Sequence, residues 1–458
     1  MTAGSLVDNI LRFVRNIILA RLLAPDAFGL MATVIAIVAV METFTSVGLR
    51  QSVIQNKKGA DEDFLNVVWW FSSLRGLILY GIAYLAAPFI SGFYKIPAST
   101  EILRIGSLVI LLNGFISPRI HVLEKELGFK NWVILMQGSG IIGVIVGIVS
   151  AFFLRNVWAL LLAYLTEAFL RVTMSFLLCP IKPQLKINKV YAYDIMRFSQ
   201  RMFGLPFLIL LYAQTDTFVI GKTLSFEALG MYTLAKSLSE APSTFFSMAI
   251  NPLILPVLSL IQDDKNRLRH TILYLTRITA IFGIPFFAFL ITFAQPILSL
   301  AYGEIYKRVA IPFSILCVCA FFIILASLIM QMFFAIGQPN IQRTASIVRT
   351  IVFLLLIYPA TKTFGLIGAS LTVLIATSSS LAIQIICIHK LINLKWTEYL
   401  YSLTTGVKLS SIIVIPGIFI NMLVQPNSMI AISIGVLFWL VSLSIGVNIL
   451  SLSRIPWM

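Results

Sequence analysis

The chain is a succession of long apolar runs, each closed by a short cluster of charged residues, proline or glycine. Most runs are about 20 residues long, the length at which one helix crosses the hydrocarbon core of a bilayer. Read this way, the sequence predicts spans at 2–23, 27–49, 65–90, 102–118, 132–154, 158–179, 198–220, 228–258, 271–296, 309–336, 344–361, 366–388, 403–424 and 428–452. The fold class expected is an all-α polytopic membrane protein with about 14 transmembrane helices. The first run is the most polar and would also suit a helix lying in the interface.

Composition agrees with this pattern. Of 458 residues, 59% are hydrophobic and 11% charged, and mean hydropathy is +0.96. Soluble domains carry about 25% charged residues, so a water-soluble globule is excluded. Disorder is excluded too, because it requires low hydrophobicity. The connections are too short to hold a folded extramembrane domain.

The net charge is +16. On a soluble protein this would suggest nucleic acid, but here its placement gives another meaning. Connections after even-numbered spans, with the tail, hold seventeen Lys and Arg residues, among them Arg50, Lys57, Lys58, Lys182, Arg267 and Lys390. Those after odd-numbered spans hold seven, among them Arg21, Lys95 and Lys222. The positive-inside rule then puts both termini in the cytoplasm. A missed span would swap later loops and shrink the bias. No nucleic-acid partner is expected. Asp8, Arg12 and Arg15 in the first run argue against a cleavable signal peptide.

An internal repeat organises the chain. The stretch Arg21-Leu22-Leu23-Ala24-Pro25-Asp26-Ala27-Phe28-Gly29 recurs 201 residues later as Lys222-Thr223-Leu224-Ser225-Phe226-Glu227-Ala228-Leu229-Gly230. A second match sets Pro88 to Tyr94 against Pro296 to Tyr302. Six spans separate the copies, an even number, so both have the same orientation, as in transporters built from parallel repeats. The expected organisation is an N-terminal six-helix lobe (1–180), a cytoplasmic linker (181–197), a second six-helix lobe (198–390) and two additional C-terminal helices (391–458).

Ionisable side chains within spans are costly and usually face a cavity or a partner. Asp8, Arg12 and Arg15 form one stripe on a helix. By the repeat, Arg15 corresponds to Asp216, and Glu240 falls one turn from the position of Glu42. Arg12, Arg15, Arg75 and Lys236 are the candidates to line a cationic cavity for an anionic headgroup, since arginine binds phosphate oxygens in pairs. Asp8, Glu42, Asp216 and Glu240 are the candidates for ion coupling, by H+ or Na+, or for gating. Glu167 and Arg171, like Lys236 and Glu240, are four apart, a spacing equally suited to a structural ion pair. Pro242, Pro252 and Pro256 crowd the eighth span and are expected to bend it. The four cysteines and three histidines show no disulfide or zinc spacing. No hydrolase, zinc-protease or nucleotide-binding signature is present. No enzyme activity, metal or other cofactor is expected.

The stretch Ile17 to Leu30 resembles the polysaccharide transporter (Wzx-type flippase) family of the multidrug/oligosaccharidyl-lipid/polysaccharide exporter superfamily. Val47 to Gln55, Asp216 to Gly221, Leu229 to Tyr232, Gln262 to Asp264 with Arg267-Leu268, and Gly337-Gln338-Pro339 match in the same order. The resemblance implies a two-lobed flippase of the bacterial cytoplasmic (inner) membrane. It would move polyprenyl-pyrophosphate-linked oligosaccharide repeat units for O-antigen, capsule or exopolysaccharide synthesis. It also implies membrane lipid, a polymerase and a chain-length regulator as partners. Arg15 and Asp26 look like charged positions near the first helix of the more distant lipid II flippases. A second arginine in span two is missing, and Glu42 lies in that region instead. The competing classes are a cation-coupled drug exporter of the same superfamily and a membrane polymerase or glycosyltransferase. The latter needs catalytic groups on long outward loops, which this chain lacks.

Overall fold

The computed structural model describes residues 2–46, 48–94, 99–126, 128–185, 188–201, 205–423 and 428–452. Among the described residues the expected spans fall on helices, with 102–118 divided between Ser99–Gly106 and Leu108–Gly114 and 198–220 between Lys189–Arg201 and Leu205–Thr223. By length and apolar character, ten helices among the described residues qualify as membrane spans. They become eleven if the pair Ser99–Gly114 and Arg119–Lys125, bent by 61°, is one span.

The shortfall against fourteen has local causes. Helix Pro339–Ile392 runs for 54 residues but is broken at Gly365, where φ is 59° and ψ −139°. Glycine alone adopts such a conformation at little cost. The two halves are the expected spans 344–361 and 366–388. The first helix, Thr2–Leu22, carries Asp8, Arg12, Arg15 and Arg21, too many charges for an apolar window. Helix Leu205–Thr223, the expected seventh span, is also outside the ten.

The chain divides into two compact units, Met1–Thr233 and Leu234–Met458. The boundary between these units lies inside helix Phe226–Leu260. The two copies of the repeat motif explain this. A Cβ added at Gly29 would stand 2.0 Å from the Phe226 carbonyl oxygen, and one added at Gly230 would stand 1.7 Å from that of Pro25. Gly29 corresponds to Gly230 and Pro25 to Phe226, so the contact is two-fold symmetric within the first unit. Tyr94 stacks on Phe226 with centroids 5.3 Å apart, and Lys222 lies 3.9 Å over the Phe93 ring while donating to its carbonyl. These contacts hold residues 205–233 to the first unit.

The described part of the linker is tied to the first unit. Cys179 accepts from Ser117 Oγ at 2.7 Å, and the Gln184 carbonyl accepts from Trp70 Nε1 at 2.7 Å. Its second half belongs to the helix Lys189–Arg201. Tyr191 and Ile195, four apart, share one face of that helix. Tyr191 packs edge-on against Phe64 at 5.4 Å, and Ile195 is buried in the cluster of Val53, Phe64 and Leu65. Nearby, Arg50 grips Glu124 through two bonds of 2.9 and 2.6 Å. Hydrogen bonds from His121 and Arg50 hold the Glu124 carboxyl down at about 2.

In the second unit, Asp264 caps helix Lys265–Thr292 by accepting from the Asn266 and Arg267 amides, both at 3.0 Å. The C-terminal helices Trp396–Leu423 and Ser428–Leu452 pack on this helix through small residues. A Cβ on Gly406 would lie 2.2 Å from the Ala280 carbonyl oxygen, and one on Gly435 2.7 Å from Phe289. Without a hydrophobic force between helices in lipid, such close approach supplies the packing energy. Helix Phe226–Leu260 runs through Pro242, Pro252 and Pro256 as one helix.

Candidate functional site

A cluster of charged side chains forms inside the first unit. Helix Val157–Leu178 begins at Asn156, whose side chain accepts from the Trp158 amide at 3.0 Å. One face packs on helix Phe129–Leu154 at Gly143 and Gly147, where added Cβ atoms would lie 3.0 Å from Glu167 Cβ and 2.9 Å from Ala163 Cβ. Glycine at these positions lets the Glu167 backbone come close to the neighbouring helix. The first helix packs on the same helix Phe129–Leu154.

This arrangement brings Arg12 to Glu167. Arg12 Nη2 donates to Glu167 Oε1 at 2.6 Å. Arg171 Nη2, one turn along on the helix of Glu167, donates to the same oxygen, also at 2.6 Å. Glu167 is 6% exposed, while the Arg12 side chain keeps 35% of its surface open. The buried Nε of Arg171 has no hydrogen-bond partner.

Two further helices add to the cluster. Glu42, on Pro25–Ser46, accepts from Asn113 Nδ2 at 2.7 Å through Oε1. Arg75, on Glu62–Tyr94, interacts electrostatically with Glu42, as does Arg171. The buried Nε of Arg75 also lacks a partner. Tyr164 lies in the field of Glu42, Arg171, Glu167 and Arg12 together. Among the described residues, three guanidiniums therefore surround two carboxylates. Buried charges persist only when paired or hydrogen-bonded. Here the arginines and carboxylates brace one another. Chemically, the cluster offers oriented guanidinium N–H groups to an anion.

The other described candidates have different partners. The side chain of Asp8 is outside the described residues. Arg15 contacts Asn16 Oδ1 from Nε and Nη2 at 3.4 and 3.3 Å. Asp216 is 1% exposed, accepts from the Thr217 amide at 2.8 Å and meets the Tyr232 hydroxyl at 3.4 Å. Lys236 and Glu240 belong to the second unit, where both act electrostatically on Cys319 of helix Ala310–Ala335. So Arg12, Arg75 and Glu42 are brought together. Glu167 and Arg171 join them, and their spacing of four was the one visible signal. Asn113 and Tyr164 complete the cluster, and only tertiary packing identifies them. Among the described residues no group of three His, Cys, Asp or Glu side chains is placed to hold a metal ion.

Comparison with known proteins adds a family. Residues 18–311 match a family model described as a polysaccharide biosynthesis protein. The chain is 22% identical to an uncharacterized membrane protein in the cps region of Klebsiella pneumoniae, over 81% of this chain and 77% of that one. It is 21% identical to the lipopolysaccharide biosynthesis protein WzxC of Escherichia coli, over 86% of this chain and 80% of that one. Its fold is similar to a solved structure of the lipid II flippase MurJ in an inward closed conformation. That match has a TM-score of 0.80 and 15% identity, and covers 98% of both chains.

Proposed function

From the premise that this chain belongs to the polysaccharide biosynthesis protein family, we propose that it is a flippase for polyprenyl-pyrophosphate-linked oligosaccharide repeat units. It is a multi-pass membrane protein with a transporter fold. In this reading it sits in the bacterial cytoplasmic membrane with both termini inside. It works by alternating access between two six-helix lobes, 1–180 and 198–390, with 391–458 appended. The WzxC relative is a lipopolysaccharide biosynthesis protein, and a surface-glycan pathway is the natural setting for the chain as well. A polymerase and a chain-length regulator would act next on what it delivers.

The observation that carries the reading is the cationic cluster built on Glu167 and Glu42. A pyrophosphate is the most charged part of such a substrate and the part least able to cross lipid unaided. Arginines braced by carboxylates meet its oxygens with charge-assisted hydrogen bonds. The cost of burying them falls when the anion arrives. Arg12 and Arg75 are the headgroup residues of the first unit, with Arg15 and Lys236 as further candidates. Glu42, Asp216 and Glu240 are the carboxylates at which H+ or Na+ would couple movement to a gradient.

Deletion of the gene tests the proposal. The expected outcome is accumulation of polyprenyl-linked repeat units inside the cell and loss of surface glycan, both restored by the wild-type gene. Unchanged glycan together with altered drug resistance would overturn it in favour of a multidrug exporter.

A further inference from the structure

We infer that Glu167 is a positioning residue that presents Arg12 and Arg171 as a matched pair to a diphosphate, which makes Arg171 a further headgroup ligand. The inference rests on the headgroup reading above. It adds two residues that the charged stripe of the first helix does not contain, and it assigns each a distinct job.

The geometry is specific. One carboxylate oxygen, Glu167 Oε1, accepts from Nη2 of both arginines at 2.6 Å. The two nitrogens are therefore held within twice that distance of one another. Arg12 comes from Thr2–Leu22 and Arg171 from Val157–Leu178, so the carboxylate joins two helices distant in sequence. Glu167 itself is closely packed. It is buried, and its Cβ lies against the position where Gly143 leaves no side chain.

A guanidinium has five N–H donors in a fixed plane. Anchoring one Nη2 of each arginine on a shared point narrows the directions in which each plane can present its other edge. Arg171 has an unpartnered buried Nε, and Arg12 remains open over a third of its side-chain surface. Two adjacent guanidiniums thus converge on a single carboxylate oxygen. A diphosphate can give each arginine its own phosphoryl group, whereas a monophosphate engages the pair through one centre. The pair therefore favours pyrophosphate over orthophosphate. Glu167 touches the arginines and not the ligand, so its contribution is orientation.

This role has a sign that simple charge balance does not share. If Glu167 only cancelled positive charge, Glu167→Gln would raise the local charge and tighten anion binding. If it positions the arginines, the same change weakens binding. The experiment is calorimetric titration of the purified full-length protein with inorganic pyrophosphate, with orthophosphate in parallel and melting temperatures recorded. Wild type is expected to prefer pyrophosphate. Glu167→Gln and Arg171→Gln are each expected to lose affinity by on the order of tenfold. Glu167→Asp, which keeps the charge but shortens the reach, is expected to lie between. Equal or tighter binding by a folded Glu167→Gln variant overturns the inference. Should that variant not fold, Arg171→Lys decides, since it keeps the charge and loses the fork. Weaker binding is expected, and unchanged binding overturns the proposal. Loss of binding in Arg12→Gln with none in the Glu167 and Arg171 variants overturns this inference and leaves the headgroup reading standing. A wild-type protein that binds no pyrophosphate overturns both.

Discussion

Replacing Gly230 by alanine places a methyl group where the chain has no room. The added Cβ would lie 1.7 Å from the Pro25 carbonyl oxygen, 2.7 Å from its carbon and 3.0 Å from the Gly29 nitrogen. All three are backbone atoms, so no side-chain rotation relieves the clash. The two segments must part by roughly 1.5–2 Å to restore van der Waals contact. Overpacking of this kind costs about 1–3 kcal/mol, and the rigid partner puts it at the upper end. Gly29→Ala meets the Phe226 carbonyl at 2.0 Å and should cost about the same, because the repeat makes the two contacts equivalent. Once the segments have parted for one methyl, the second has room. The double variant should therefore cost less than the sum, with a coupling of about 1 kcal/mol or more. Gly81→Ala is the control: its Cβ would meet nothing within 4 Å, and it should be neutral or slightly stabilising as a helix-interior glycine. Reversible unfolding of the purified protein measures all four. Strictly additive costs at Gly29 and Gly230, or a large cost at one and none at the other, would refute the shared two-fold contact.

Other consequences follow from the same contacts. Arg12→Ala should abolish surface-glycan export in a stably inserted protein, and full export would remove Arg12 from the mechanism. Arg15→Ala, in the same assay, should reduce export less, because the shared carboxylate holds Arg12 and Arg171; equal loss would contradict that ranking. Glu124→Gln should lower the melting temperature modestly at pH 7, since a partly exposed pair contributes about 1 kcal/mol or less. The Glu124 carboxyl is depressed to about 2, so its stabilisation is present above the ordinary carboxylate value and fades as pH falls toward 2. A wild-type to variant gap unchanged from pH 7 down to the acid limit would show that the charge is not responsible. Gly406→Val should detach the C-terminal pair from helix Lys265–Thr292, and faster proteolysis after residue 395 would report it; protection equal to wild type would count against that packing.

Much of this fold was legible because hydrophobic run length is a strong signal in a membrane chain. Among the described residues most expected spans lie on one helix each, and the break between spans eleven and twelve falls at Gly365, where glycine marks it. The span count was less legible. Arg12 and Arg15 make the first helix too polar to qualify by composition, and its charge is understood only once Glu167 is seen beside it. The linker shows the same limit. Its polar sequence reads as a hinge, yet Tyr191 and Ile195 find a buried surface on Phe64 and Val53. The repeat was visible as text, but not that its two copies touch each other. Arg12 and Arg75 were found because charge in an apolar run is conspicuous. Asn113 and Tyr164 were missed because polar residues are common in such runs and their partner, Glu42 or the cluster as a whole, is distant in sequence.

The central claim is translocation of a pyrophosphate-linked glycan lipid, and a reconstituted system tests it most directly. The purified protein is placed in vesicles carrying a polyprenyl-pyrophosphate oligosaccharide in both leaflets, and an impermeant enzyme attacks the sugar from outside. The account predicts that the protein opens the inner-leaflet share to the enzyme and that Arg12→Ala does not. Protection of that share equal to protein-free vesicles, by a preparation that still binds pyrophosphate, would contradict it.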